Sequence, residues 1–209
     1  MITSILIAGD ICPTKDTKHL FDKEDAGTLF TNVKDKINSA DLAIANLEFP
    51  ITEIKKGISK TGPILRGDPN HINVFNKLGF GVLSLANNHI KDCGSQGVLD
   101  TLKICKENQI LIVGAGSNIA QAKESIIKEV NGFKIGFMDF AEQEFNIASD
   151  TEAGSNYLDP YYDFDAVAKL KSKVDFLIIL YHGGIEYYKY PSPLLQKKCR
   201  KLVFDVPEH

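Results

Sequence analysis

The stretch Val82-Leu83-Ser84-Leu85-Ala86-Asn87-Asn88-His89 joins a short apolar run directly to three polar side chains. An apolar run of this length, rich in Leu and Val, is typical of a strand buried on both faces of a parallel sheet. In open α/β sheets, ligands bind beyond the carboxyl ends of such strands. The stretch therefore predicts a layered α/β fold and a functional site at one edge of its sheet.

Three other apolar runs end in the same way. Residues 5–8 precede Gly9-Asp10, residues 42–45 precede Asn46-Leu47-Glu48, and residues 176–181 precede His182-Gly183-Gly184. If these strands are parallel, their carboxyl ends share one edge and the polar groups converge there. Carboxylate, amide and imidazole ligands together suit Mn²⁺, Fe or Zn²⁺. Two such ions could polarise a phosphoryl or acyl oxygen and lower the pKa of a bound water.

The remaining pattern alternates strands with helices. We expect strands at residues 5–8, 42–47, 82–86, 110–113 and 176–181, and helices at 29–38, 71–78, 96–107 and 163–173. Asn131-Gly132 stands between two further apolar runs and predicts a hairpin, because both residues tolerate positive φ. The pattern predicts one domain over residues 1–209, with a mixed, mainly parallel sheet flanked by helices. The irregular segments 50–70 and 141–162 are expected to form the walls of a cleft.

Composition indicates which binding partners and which cellular location to expect. The net charge of −3 is spread along 209 residues, so the sequence does not indicate a nucleic-acid partner. The amino terminus lacks a basic n-region, and no apolar run approaches the ~20 residues of a membrane-spanning helix. We therefore expect no membrane segment and, for the chain as written, a cytoplasmic location. The four cysteines are isolated, which favours neither a zinc cluster nor a disulfide scaffold.

Ordered blocks along the chain resemble the successive signatures of the CapA family of capsule and poly-γ-glutamate synthesis. The blocks are Gly9-Asp10, Asn46-Leu47-Glu48-Phe49-Pro50, Arg66-Gly67-Asp68-Pro69, Leu85 to Gly94, Gly114-Ala115-Gly116-Ser117-Asn118 and His182 to Tyr187. The resemblance extends over nearly the whole chain. CapA proteins are in turn similar to calcineurin-like metallophosphoesterases, so the resemblance implies a layered metallophosphoesterase-like fold.

The resemblance also implies roles for individual residues. Asp10, Glu48, Asn88 and His182 would bind divalent metal, with Glu48 at the bridging position, and His89 would be the acid near the leaving group. From their side-chain chemistry, Arg66 is a candidate for binding an anionic group of the substrate and Asp92 for orienting His89. Asn46 and Asn87 are further candidates for binding substrate or supporting the ligands.

Simpler structural roles stay open for most of these residues. Asp10 could cap a turn, and the segment from Asn87 to His89 could lead into a helix. His182 could hydrogen-bond only to backbone, Arg66 could be solvated, and Asp92 could belong to a turn.

Two features depart from the family pattern. Cys12 stands where two-metal phosphoesterases have a histidine two residues after the first aspartate, which weakens one metal position. The family also continues into a strand that ends in a Gly-x-His-Pro-His-like block, which His209 does not match by spacing. We therefore expect the sequence to be a fragment, a frameshifted product or a degenerate copy, truncated at the C-terminus.

The sequence thus favours a CapA-like protein of capsule or poly-γ-glutamate biosynthesis with a metal-dependent hydrolase site. Its substrate would be an anionic polymer or a phosphoester, and its partners other capsule-synthesis proteins. The alternative is a non-catalytic binding or assembly protein that keeps the cleft but not a complete metal site. A third possibility is that the truncated chain does not fold stably.

Overall fold

The computed structural model describes residues 2–204, so His209 lies outside the described part of the chain. The strands are β1 (Ile5–Ile11), β2 (Leu42–Leu47), β3 (Phe80–Ser84), β4 (Leu111–Val113), β5 (Ala115–Gly116), β6 (Ile126–Val130), β7 (Phe133–Ala141), β8 (Gly154–Ser155) and β9 (Phe176–His182). The helices are α1 (Lys18–Asp22), α2 (Ala26–Leu29), α3 (Lys34–Ser39), α4 (Ile72–Leu78), α5 (Gly94–Glu107), α6 (Ile119–Ala122), α7 (Asp163–Lys171) and α8 (Pro193–Phe204). Among them, no helix combines the length and apolarity needed to cross a bilayer.

The first sheet is entirely parallel, with the order β1-β2-β3-β4. Every residue of β2 is buried, as the continuous apolar run predicts. Successive side chains of β2 still alternate between the two faces of the sheet. Ala43, Ala45 and Leu47 pack on the helical side, while Leu42 and Ile44 pack on the opposite side.

The helical side of this sheet holds the largest apolar cluster. Phe75 and Leu78 of α4 and Val98 of α5 are completely buried in it. Full burial of an aliphatic or aromatic side chain contributes roughly 1.5–3 kcal/mol, so a few such residues hold each helix in place. Helix α4 ends at Gly79, whose φ of 75° is the left-handed conformation that glycine adopts most readily.

The second sheet contains the predicted hairpin. Strands β6 and β7 pair antiparallel around Asn131 and Gly132, whose φ values are 51° and 84°. Strand β9 then pairs parallel with β7, so the mixed pairing is confined to this sheet. The hairpin prediction is confirmed, because both turn residues adopt the positive φ that a tight hairpin requires.

The two sheets pack face to face. Ile44 and Val82 of the first sheet contact a cluster that includes Ile135 and Phe137 of the second. The other face of the second sheet is covered by helix α7, with Val167 completely buried. The chain thus forms four layers in the order helix, sheet, sheet and helix, and the predicted α/β class is confirmed. Most of the strands are divided between two sheets.

One predicted helix, at residues 29–38, is two short helices, α2 and α3. Asp25 starts α2 early, because its carboxylate accepts a hydrogen bond from Thr28 N at 3.0 Å. Thr31 Oγ1 then bonds back to Gly27 O at 2.8 Å. Such side-chain bonds to the backbone compete with a continuous helix.

Asp139 of β7 joins the second sheet to the end of β3. One carboxylate oxygen, Oδ2, accepts hydrogen bonds from Ser84 Oγ at 2.8 Å, Leu85 N at 3.1 Å and Ala86 N at 2.9 Å. Gly114 lies against this carboxylate, and a Cβ there would come within 2.1 Å of Oδ2. Beyond Ser84 the chain therefore leaves the sheet two residues earlier than the apolar run predicts.

Burial raises the pKa of Asp139 to about 7, because three hydrogen bonds compensate only part of the lost hydration. The folded protein then holds a proton that the unfolded chain releases. We expect stability to fall as the pH rises from about 4 to about 7, by on the order of a few kcal/mol. The variant Asp139→Asn, which keeps an acceptor oxygen, should lose this dependence. Urea unfolding across this pH range measures it.

The exposed Asp150 provides the matched control, because Asp150→Asn changes the same group outside the core. If both variants retain the wild-type dependence on pH, the buried carboxyl of Asp139 is not its source.

Candidate metal centre and its cleft

The ends of strands from both sheets meet in a cleft of about 690 Å³. Five residues of the predicted site line it: Asp10, Glu48, Asn88, His89 and His182. Asp10 lies on β1, Glu48 directly follows β2, and His182 is the last residue of β9. Asn88 and His89 lie in the turn after β3. The structure therefore brings the predicted residues together, and their chemical roles remain predictions.

Three potential ligands form a tight group within the cleft. Ligand atoms of Asp10, Glu48 and His182 all lie within 4.8 Å of one another. His182 stands between the two carboxylates, with Nδ1 3.4 Å from Asp10 Oδ1 and Nε2 3.6 Å from Glu48 Oε1. Nε2 also lies 3.0 Å from Asn88 Oδ1. Two carboxylates, an imidazole and an amide oxygen make a donor set that fits a divalent transition metal.

The charge balance around this group also fits a cation. No Lys or Arg in residues 2–204 forms an ion pair with Asp10 or Glu48, whose close partner is His182. A second group of similar composition, Asp22, Asp68 and His71, differs in this respect.

The protein's own cations neutralise that second group. Lys18 contacts Asp22 at 2.6 Å and Asp68 at 3.4 Å, and Arg66 contacts Asp68 at 2.6 Å. His71 is completely buried, and its Nε2 lies 2.8 Å from Asp22 Oδ1. We therefore interpret the second group as a structural ion-pair network.

The three clustered ligands alter one another's pKa values. Burial, followed by the charge of Asp10, raises the pKa of Glu48. Burial opposes protonation of His182, but the hydrogen bond and charge of Asp10 outweigh it and raise the pKa of His182 above 6.5. The hydrogen bonds from His182 and Asn46 in turn lower the pKa of Asp10. A proton held by His182 thus occupies a position that a metal ion would need.

A chain of amide side chains that do not line the cleft supports Asp10. Asn46 Nδ2 donates to Asp10 Oδ1 at 2.7 Å, and Asn46 Oδ1 accepts from Asn87 Nδ2 at 2.9 Å. Asn87 is completely buried and also donates to Leu47 O at 2.9 Å. These contacts fit the predicted supporting positions of Asn46 and Asn87, because they fix the carboxylate through neighbouring strands.

His89 is held at two points. Its backbone N donates to Asn87 Oδ1 at 3.1 Å, and its Nδ1 lies 2.8 Å from Asp92 Oδ2. Asp92 is completely buried, so its contact with the ring fits the predicted orienting position.

Arg66 does not line the described cleft. It donates to Thr52 O at 2.9 Å and Asp68 Oδ1 at 2.6 Å, so its contacts support the loop that follows β2.

Cys12 lies beside the cluster without joining the group of three ligands. Burial and then the charges of Glu48 and Asp10 raise the pKa of its thiol.

Sequence reasoning missed several residues that shape the site. Glu142 and Glu144 line the cleft and add two acidic side chains to it. Asn146 is completely buried and donates to Asn87 O at 3.0 Å, which ties the same segment to the turn before His89. The sequence did contain a signal for Asp139, because a carboxylate interrupts the apolar run of β7. The acidic segment 141–162 contained no pattern that distinguishes residues lining the cleft from exposed residues.

The fold resembles that of solved phosphatases. One such structure, described as a novel phosphatase from Mycoplasma pneumoniae, aligns with a TM-score of 0.52 at 18% identity. The alignment covers 97% of this chain and 60% of that one. Together with the layered sheets, this likeness defines a metallophosphoesterase-like fold.

Sequence comparison identifies the family. The model of the bacterial capsule synthesis protein PGA_cap matches residues 4–205. The capsule biosynthesis protein CapA of Bacillus anthracis is 28% identical over 209 residues, covering 96% of this chain and 51% of that protein. The PGA biosynthesis protein CapA of Bacillus subtilis (strain 168) is 28% identical over 206 residues, covering 96% and 54% respectively.

The chain therefore belongs to the PGA_cap family, and the resemblance to CapA proteins is confirmed. It spans about half the length of these curated relatives.

Metal affinity is expected to rise with pH, because a metal ligand must be neutral imidazole and Asp10 helps His182 to retain its proton. Calorimetric titration with Mn²⁺ between about pH 6 and about pH 8 should show the increase. His182→Gln should weaken binding by about tenfold or more and flatten the dependence on pH. Equal affinities for wild type and variant would remove His182 from the metal centre.

Proposed function

We propose that the chain is a metal-dependent hydrolase of the phosphoesterase type that serves the biosynthesis of a capsule polymer. The observation that carries this proposal is the grouping of Asp10, Glu48 and His182, whose ligand atoms lie within 4.8 Å of one another. Membership of the PGA_cap family supports the biological process. The metallophosphoesterase-like fold supports the type of reaction.

Asp10, Glu48, Asn88 and His182 are the proposed metal ligands. A divalent ion bound there would polarise a phosphoryl or acyl oxygen and lower the pKa of a bound water. Manganese, iron and zinc all suit this mixture of oxygen and nitrogen donors. Asn46 and Asn87 keep Asp10 in place through the amide chain, so the ligand geometry is set before an ion binds.

His89 is the proposed proton donor to the leaving oxygen. It lines the same cleft as the ligands, and its side chain is only 12% exposed. Asp92 holds Nδ1, which leaves Nε2 as the nitrogen that can exchange a proton with a bound substrate. A positioned acid of this kind typically contributes about 10²–10⁴-fold to the rate.

We propose an anionic polymer or a phosphoester as the substrate. The cleft extends past the ligands to Tyr188, Lys189 and Tyr190, so it can hold a group longer than the reacting bond. Among the lining residues, Lys189 supplies positive charge, whereas the charges of Glu142 and Glu144 repel an anion. An anionic substrate would therefore be attracted mainly by the bound cation.

The proposed protein partners are other capsule-synthesis proteins.

The second candidate is a non-catalytic binding or assembly protein. It is favoured by the size of the ligand cluster, which contains three titratable residues within the described chain, with Cys12 outside it. Three such ligands and one amide furnish a single metal position, whereas a two-metal mechanism needs a second. This candidate keeps metal-dependent binding and lacks turnover.

Two substitutions separate the candidates. For a hydrolase, His89→Asn should leave Mn²⁺ affinity nearly unchanged and lower turnover of a generic phosphodiester by about 10²–10⁴-fold. Glu48→Gln should lose metal and turnover together, because it removes a ligand. Turnover is measured with bis(p-nitrophenyl) phosphate and metal binding by calorimetry.

Wild-type turnover at background level, combined with metal binding that Glu48→Gln abolishes, would favour the binding protein. Turnover that survives in both variants would place the reaction elsewhere.

A further inference from the structure

A buried lysine lies behind His89. Lys60 belongs to the irregular segment between β2 and α4, and its side chain is only 3% exposed. Its ammonium group forms an ion pair with Asp92 Oδ1 and lies 3.1 Å from Nδ1 of His89. Lysine is rarely buried unless its charge is paired. The position of Lys60 therefore depends on Asp92.

Asp92 presents its two oxygens to different partners. Oδ1 faces Lys60, while Oδ2 accepts from Leu65 N at 2.7 Å and lies 2.8 Å from His89 Nδ1. A carboxylate oxygen can only accept hydrogen bonds, so the contact with His89 requires a hydrogen on Nδ1. With Nδ1 protonated, the Lys60 ammonium cannot donate to it, and its charge is paired with the Asp92 carboxylate.

The same aspartate anchors the segment that carries Lys60. Ile58 N donates to Asp92 O at 2.8 Å, in addition to the bond from Leu65 N to the side chain. The segment is thus fixed to Asp92 at residues on both sides of Lys60. The conformation of this segment and the orientation of the His89 ring therefore both depend on Asp92.

We propose that Lys60 is a positioning residue for His89. Its charge compensates the buried carboxylate of Asp92 and so keeps Asp92 an acceptor for Nδ1–H of the neutral ring. Nε2 is then the nitrogen at which His89 takes up and releases the proton that it gives to the leaving oxygen. The effect on turnover rests on the proposed hydrolase function, whereas the effect on the ring does not. No sequence pattern distinguishes Lys60 from the exposed lysines of the same segment, such as Lys56.

The tautomer is measured by nitrogen-15 spectroscopy of the imidazole rings in the metal-free protein, with the His89 signals assigned from His89→Asn. Wild type is expected to show a single Nδ1–H form once the ring is neutral. Lys60→Met should lose this form and give a mixture of tautomers, while Lys56→Met should match wild type. An Nε2–H form in wild type, or an unchanged ring in Lys60→Met, overturns the proposal.

Lys60→Arg tests whether the charge is what matters, and it should restore the wild-type ring signals. On a phosphodiester, Lys60→Met should lower kcat by about 10 to 100-fold with little change in KM, the usual cost of losing a partner that orients a site residue. If wild type has no turnover, the hydrolase proposal fails while the ring signals still decide the role of Lys60. If Lys60→Met does not fold, the His89 ring signals of Lys60→Gln are compared with those of wild type instead, and the same outcomes apply.

Discussion

Face-to-face packing of the two sheets is the constraint on which the rest of the molecule depends. Ile44 and Val82 press against the cluster around Phe137, and this contact fixes where β9 ends relative to β1 and β2. His182 comes from the second sheet, whereas Asp10 and Glu48 come from the first. The ligand group can form only if both sheets keep this arrangement. Interior side chains are closely packed, so a substitution that changes side-chain volume between the sheets would shift the strand ends that form the cleft.

Buried and half-buried carboxylates are stabilised in different ways across the molecule. Asp22 and Asp68 have Lys18 and Arg66 as partners, and Asp92 has Lys60. Asp139 instead uses hydrogen bonds from Ser84 and two backbone amides. Asp10 and Glu48 are paired with an imidazole, which can release its proton when another cation takes its place. This difference is what marks the cleft as a candidate metal centre.

The segment after β2 links the periphery of the molecule to its cleft. Hydrogen bonds from Ile58 and Leu65 and the ion pair of Lys60 all end on Asp92, which in turn contacts His89. Segments without regular structure are usually the more variable parts of a fold. Here the segment contributes the buried contacts of Lys60 and Leu65 with Asp92, and Asp92 contacts His89. The sequence of this segment therefore affects the surroundings of His89.

Much of the architecture was determined by the sequence itself. The apolar runs located the principal strands, and Asn131-Gly132 located the hairpin, because both signals depend on neighbours along the chain. The polar residues at the strand ends and the ordered family blocks indicated the site residues for the same reason. Tertiary structure alone decided the division into two sheets, the burial of Lys60 and Asp139, and the hydrogen bond from Arg66 to Thr52 O. These features depend on the desolvation of charges and on contacts between distant segments, which no local pattern records.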